Sequence, residues 1–142
     1  LLSGKSSTSA GCYEVINGKF LNQVNLEEVD FDPPDNILAL PEGCLILPEY
    51  LKSEGYNTGF FGKWHVGSGG AKNRGFDDYV TLKNLSHWNV SNSFINSSPD
   101  YLEPEGYSSD YLTSCVKRFL GKYEKSKKPF FIYLAHTLVQ TI

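Results

Sequence analysis

Six consecutive apolar residues, Phe130-Phe131-Ile132-Tyr133-Leu134-Ala135, leave no polar face for solvent. A strand that is apolar on both faces fits the centre of a parallel sheet, covered by helices on each side. Just before it, Tyr111, Leu112, Cys115, Val116, Phe119, Leu120 and Tyr123 fall on one stripe at helical spacing. That stripe predicts a helix from about Ser109 to Glu124, which Ser108 or Ser109 can cap. Earlier, Leu47–Glu54 reads as a second helix, with Pro48 in its first turn and Gly55 at the left-handed position beyond its end. Tyr56–Phe61 follows, rich in aromatic and β-branched residues, and reads as a buried strand. Helix, strand, loop, helix, strand is the order of an α/β layered fold with a parallel sheet. Ligands of such sheets gather outside the carboxyl ends of the strands. Two of the three histidines stand there: His65 after the first strand and His136 after the second.

The remainder is less regular. Residues 1–35 are rich in Ser, Gly, Asn and Asp, with at most a short strand pair around Tyr13–Ile16 and Lys19–Leu21. Asp32-Pro33-Pro34-Asp35 is a turn, because two prolines exclude a helix or a central strand. Gly67–Arg74 is a loop. Thr81–Gly106 is polar, interrupted by Pro99 and Pro104, and reads as a long loop or excursion on the surface. It carries three Asn-x-Ser sequons, at Asn84, Asn89 and Asn96, which lean toward an exported protein. The formal net charge of −3 and the scattered Lys and Arg give no basic stripe for nucleic acid. No apolar stretch reaches membrane-spanning length, and no signal-peptide pattern opens the chain. The chain opens at Leu1 and contains no Met, so its N-terminus reads as cut. Cys12, Cys44 and Cys115 form no metal-binding spacing and read as buried or unpaired thiols, with one disulfide possible in a secreted protein.

The chemistry concentrates in Gly62-Lys63-Trp64-His65. If the extended conformation persists, period-two geometry puts Lys63 and His65 on one face and Trp64 on the other. A cation beside an imidazole suits an anionic ester: the lysine holds the oxyanion, and the histidine gives a proton to the departing oxygen. Gly62 would let the backbone come close to a ligand. On chemistry alone, Lys63 is equally a solvated strand-end charge and His65 a hydrogen-bonded core residue.

The longer stretch Leu47–Gly67 contains a helix ending in Gly-Tyr-Asn-Thr, a short strand and then Gly-Lys-Trp-His. It resembles the second signature of the sulfatase family. Arg74-Gly-Phe-Asp-Asp-Tyr79 is similar to the family's Gly-Phe-Asp segment. Tyr107–Thr113 and Lys128–Ala135 are similar to a later helix start and strand, and Leu1–Lys5 resembles the stretch just after the first signature. The resemblance runs along nearly the whole chain in order. It implies an alkaline-phosphatase-like α/β sulfatase core, a mixed and mostly parallel sheet flanked by helices. Residues 1–142 would supply part of its N-terminal catalytic domain. It also implies hydrolysis of a sulfate ester to alcohol and sulfate, with Lys63 as a sulfate-binding cation and His65 as a catalytic histidine near the nucleophile. The compartment implied is secreted, periplasmic or lysosomal.

The family's nucleophile is a formylglycine made in a Cys/Ser-x-Pro-x-Arg motif, and none of the three cysteines here stands in one. The resemblance implies a calcium ion as well, held by carboxylate and amide oxygens outside this chain. Asp77 and Asp78 are not its ligands on this reading, since adjacent strand residues point apart. Formylglycine and calcium are therefore expected in a complete protein and not from these residues, and the chain alone is expected to be inactive. After Ala135 the family places a second active histidine four residues beyond His136, where Gln140 stands, and a proline where Ile142 stands. Gln donates a hydrogen bond but gives no proton near neutral pH.

Two other classes compete. Gly4-Lys5-Ser6 could be the tail of a phosphate-binding loop, although Ser7–Gly11 is a poor helix start. A non-catalytic sulfatase-like protein that binds anions or partners would explain Gln140 and the missing nucleophile, against an intact Gly62–His65. An isolated piece is expected to expose apolar sheet edges and to dissolve poorly.

Overall fold

A computed structural model describes residues 2–6, 9, 39–41, 43–67, 70–82, 90, 94–101 and 104–136. The possible strand pair around Tyr13–Ile16 and Lys19–Leu21, the Asp32–Asp35 turn and Cys12 lie outside them. Helix α1 (Leu47–Ser53) leads into strand β1 (Asn57–Lys63), followed by β2 (Asp78–Leu82) and β3 (Phe94–Ser97). A 3-10 turn at Pro99–Tyr101, helix α2 (Ser108–Tyr123) and strand β4 (Phe130–Ala135) complete the order. The sheet runs β3-β2-β1-β4, with β1 parallel to both β2 and β4 and β3 antiparallel to β2. This is the mixed, mostly parallel α/β sheet that the sequence implies.

The central strand, however, is β1. Asn57 to Gly62 are all buried, whereas β4 forms one edge of the described sheet, with Phe130 55% and Leu134 40% exposed. The fully apolar run is thus a strand as expected, and within the described residues it stands at an edge of the sheet rather than at its centre. Hydrophobicity on both faces reports that a strand will be covered, not which neighbours it has within these residues. On one side of the sheet Phe61, Val80 and Leu82 pack against Leu112, Cys115 and Phe119 of α2. On the other, Phe60 meets the rings of Trp64, Phe76 and Tyr133 at centroid distances of 5.1, 5.4 and 5.6 Å.

Two local expectations change. Helix α2 begins at Ser108, so the N-cap is Tyr107 rather than the expected Ser108 or Ser109. The Tyr107 carbonyl instead accepts the first helical bond from the Tyr111 N–H at 3.0 Å. The Thr81–Gly106 stretch, expected as a surface loop or excursion, sends several of its described residues into the core, while Pro99, Asp100, Glu105 and Gly106 are exposed. Thr81 and Leu82 finish β2, β3 pairs with them, and Val90 and Tyr101 are buried among the apolar residues over α2. Asn96 stands in β3 with Oδ1 buried near Gly70 and Thr81, so this sequon is not on a loop. Asn84 and Asn89 lie outside the described residues. Polarity averaged over 26 positions hid single apolar anchors that burial selects one by one.

Arg74–Asp78 ties these elements together. Gly75 has φ +77°, and a Cβ there would lie 2.4 Å from the Glu49 nitrogen, so only glycine lets this turn rest on α1. Phe76 enters the aromatic cluster beside Phe60 and Trp64. The Asp77 carboxylate accepts the Thr58 N–H at 3.0 Å and pairs with Lys52 of α1 at 2.8 Å. Partial burial opposes its charge, but bonds from Lys52 and Thr58 prevail and hold its carboxyl below the usual aspartate range. Asp78, with its side chain 2% exposed, pairs with Lys122 of α2 at 2.8 Å, and Lys122 reaches Asp100 at 2.9 Å. Removing the cation from a buried carboxylate leaves an uncompensated charge. Lys122→Met in the protein carrying this chain is therefore expected to cost about 2–3 kcal/mol in denaturant unfolding. A loss under about 0.5 kcal/mol would show that Asp78 finds another partner.

Candidate active site

Why Lys63 and Trp64 sit where they do follows from the strand. β1 ends at Lys63, and the ladder continues one residue further, with the Trp64 N–H donating to the Leu82 carbonyl at 3.0 Å. Alternation puts Phe60, Gly62 and Trp64 on one face and Phe61 and Lys63 on the other. The buried Trp64 indole, held edge-on against Phe60 and Phe76, fixes that choice. Lys63 is half-buried and His65 exposed at the carboxyl end of the sheet. Partial burial, and after it the Lys63 ammonium, lower the His65 pKa from 6.5. The two side chains named from the sequence are thus electrostatic neighbours.

Gly62 has a different reason from the one its motif suggests. Its φ is +132°, and a Cβ would lie 2.0 Å from the Ala135 carbonyl oxygen. The close approach that glycine permits here is to the β4 backbone. His136 follows Ala135, which is level with Gly62 across the β1–β4 pair, so an exposed second imidazole stands at the same end of the sheet. His87, Gln140 and Ile142 lie outside the described residues.

An open cleft of about 680 Å³ is lined by Leu40, Glu49, Trp64, Val66, Gly67 and Arg74 among others, but not by Lys63 or His65. It lies on the Trp64 side of the loop. The described residues do not fit a calcium ion: no group of three or more acidic, His or Cys side chains converges among them. Asp77 and Asp78 answer instead to lysines on two different helices. At Gly4-Lys5-Ser6, none of the described residues from 2 to 6 is helical. The thiols of Cys44 and Cys115 are free and buried, and burial pushes Cys115 up to about 11, away from nucleophilic use. No helix among the described residues is long and apolar enough to cross a membrane.

Sequence reasoning passed over Arg74 as an organiser of this region. The signal was present in its place directly before Gly-Phe-Asp, but nothing local shows which backbone a guanidinium will reach.

Comparisons with known proteins agree with this fold. The chain is 27% identical over 133 residues to an ulvan-active sulfatase of Formosa agariphila, covering 89% of this chain and 23% of the relative. It is 27% identical over 136 residues to an N-acetylglucosamine-6-O-sulfatase of Bacteroides thetaiotaomicron, covering 88% of this chain and 20% of the relative. The chain therefore spans less than a quarter of either relative's length. Its fold superposes on a structure solved in work on glycosaminoglycan metabolism by Bacteroides thetaiotaomicron, with a TM-score of 0.67 and 16% identity. That match covers 100% of this chain and 32% of the other. The profile of the sulfatase family matches residues 2–137, from the turn before α1 through β4 and the strand-end histidines. Motif order, sheet topology and this match converge: the chain belongs to the sulfatase family.

Proposed function

We propose that this chain is part of the catalytic domain of a longer sulfuric ester hydrolase that releases sulfate from a sulfated carbohydrate. The observation that supports this most is that Lys63 ends β1 and His65 follows it two residues on, both at the carboxyl end of the parallel sheet. The carbohydrate preference rests on the relative that acts on N-acetylglucosamine 6-O-sulfate. Lys63 holds the anionic sulfate, and His65 protonates the oxygen that leaves with the sugar. Calcium and formylglycine would be supplied from outside these residues. The protein is secreted, periplasmic or lysosomal.

His65 must be charged to donate a proton, and in the free site it is held below 6.5. The fraction able to act falls as pH rises through that lowered value, so kcat/KM is expected to decline on the alkaline side. Lys63→Met removes one cause of the lowering, and the limb is expected to move to higher pH. Sulfate release from a sulfated oligosaccharide by the whole protein, followed against pH, checks both statements. Sulfate release with no such limb would remove His65 from the reaction. Binding of the sulfated sugar without any sulfate release would favour the non-catalytic reading that Gln140 raises.

A further inference from the structure

We propose that Arg74 is a positioning residue for His65, acting through the backbone of Leu40. The proposal rests on the reading of His65 as an active-site group. Among the described residues the imidazole makes no hydrogen bond, so the path of its backbone decides where it points. That path is held on both flanks. Before His65, the Trp64 N–H is bonded to the Leu82 carbonyl of β2 at 3.0 Å. After it, the Val66 carbonyl accepts the Leu40 N–H at 3.3 Å. A Cβ on Gly67 would fall 2.8 Å from the Ala39 Cβ, so the Ala39–Leu40 backbone lies directly against the loop.

Nothing in regular secondary structure fixes Ala39 and Leu40. The Arg74 guanidinium takes that part. Its Nη1 donates to the Leu40 and Pro41 carbonyls at 3.4 Å each, and its Nη2 to the Cys44 carbonyl at 3.1 Å. Nε lies 3.2 Å from the Glu49 carboxylate, at ion-pair distance but not aligned for a hydrogen bond. Glu49 in turn accepts the Ile46 N–H at 2.9 Å. The planar fork thus gathers three carbonyls of one irregular segment and anchors them to the first turn of α1. Lysine, whose three N–H donors all radiate from one nitrogen, lacks the planar reach of this fork. The line of contact runs from Arg74 to Leu40, from Leu40 to Val66, and from Val66 to the adjacent His65.

A merely structural Arg74 would stabilise α1 through Glu49 and leave the imidazole indifferent. Two variants of the whole protein separate these cases. Arg74→Lys keeps a cation for Glu49 and loses the fork, whereas Glu49→Gln loses the ion pair and keeps the carbonyl contacts. The His65 ring resonances, identified by their loss in His65→Gln, are read by NMR with ¹³C-labelled histidine. We expect Arg74→Lys to shift or broaden them and Glu49→Gln to leave them in place. Misplacement of a reacting group by about 1 Å costs up to 100-fold, so kcat of Arg74→Lys is expected to fall about 10- to 100-fold with KM little changed. In Arg74→Ala, added guanidinium ion should enter through the adjoining cleft and restore part of kcat. Unmoved His65 resonances in Arg74→Lys would overturn the proposal, as would equal effects of both variants on them. The resonances need no turnover. An inactive wild type would therefore sink the hydrolase reading while the NMR comparison still decides this one.

Discussion

Replacing Gly62 by alanine is expected to break the β1–β4 pair in the protein carrying this chain. The new methyl would stand 2.0 Å from the Ala135 carbonyl oxygen and 2.6 Å from its carbon. These are backbone atoms of a paired strand and cannot swing aside as the end of a side chain could. A φ of +132° adds a conformation that an L side chain rarely adopts. Strain and clash act together, and the expected loss is at least about 3 kcal/mol, near the upper end for single substitutions. Gly121 supplies the control. It lies on an exposed part of α2 with nothing within 4 Å of a Cβ. There alanine is expected to raise stability by roughly 0.5–1 kcal/mol through helix propensity. Denaturant unfolding of both variants checks the contrast. Similar small effects at Gly62 and Gly121 would mean that β4 does not approach β1 as described. A large loss at Gly62 would remove Lys63 and His65 from their common end of the sheet as well.

The second large effect concerns chemistry, and it depends on the leaving group. If His65 protonates the departing oxygen, His65→Gln is expected to lower kcat on a sugar sulfate by about 10²- to 10⁴-fold. A nitrophenyl sulfate needs little proton assistance, because its phenolate leaves readily, and its kcat should fall far less. Lys63→Ala removes charge from the sulfate itself, whatever the leaving group. It is expected to cost about 10²- to 10³-fold on both substrates. The different patterns separate the two roles, which a single substrate would merge. Equal losses on both substrates for His65→Gln would remove it as the proton donor and leave it a binding residue.

How much of this was legible before any coordinates varied by element. Both helices, β1 and β4 followed from apolar periodicity and turn residues within a residue or two, since local patterns specify local conformation. The Gly62–His65 motif was legible as residue types in order, and the structure places Lys63 at the end of β1 with His65 just beyond it. Strand β2 was not named, because Asp78–Leu82 is short and begins with a charged residue, whose buried carboxylate a lysine from α2 meets. Strand β3 was hidden in a polar stretch, where pairing with β2 supplies order that composition does not.

By itself, then, the sequence determined the α/β class, the succession of helices and strands, and the motif that ends in His65. These are matters of periodicity, turn chemistry and residue type along one dimension. Tertiary structure alone decided that β1 is central and β4 at an edge of the described sheet, and that Gly62 is glycine because Ala135 crowds it. It also decided that Arg74 reaches three carbonyls some thirty positions earlier in the chain. The physical reason is common to all three. Strand neighbours, close backbone approach and a guanidinium's choice of acceptors are contacts between segments distant in sequence, and no local pattern along the chain records which segments will meet.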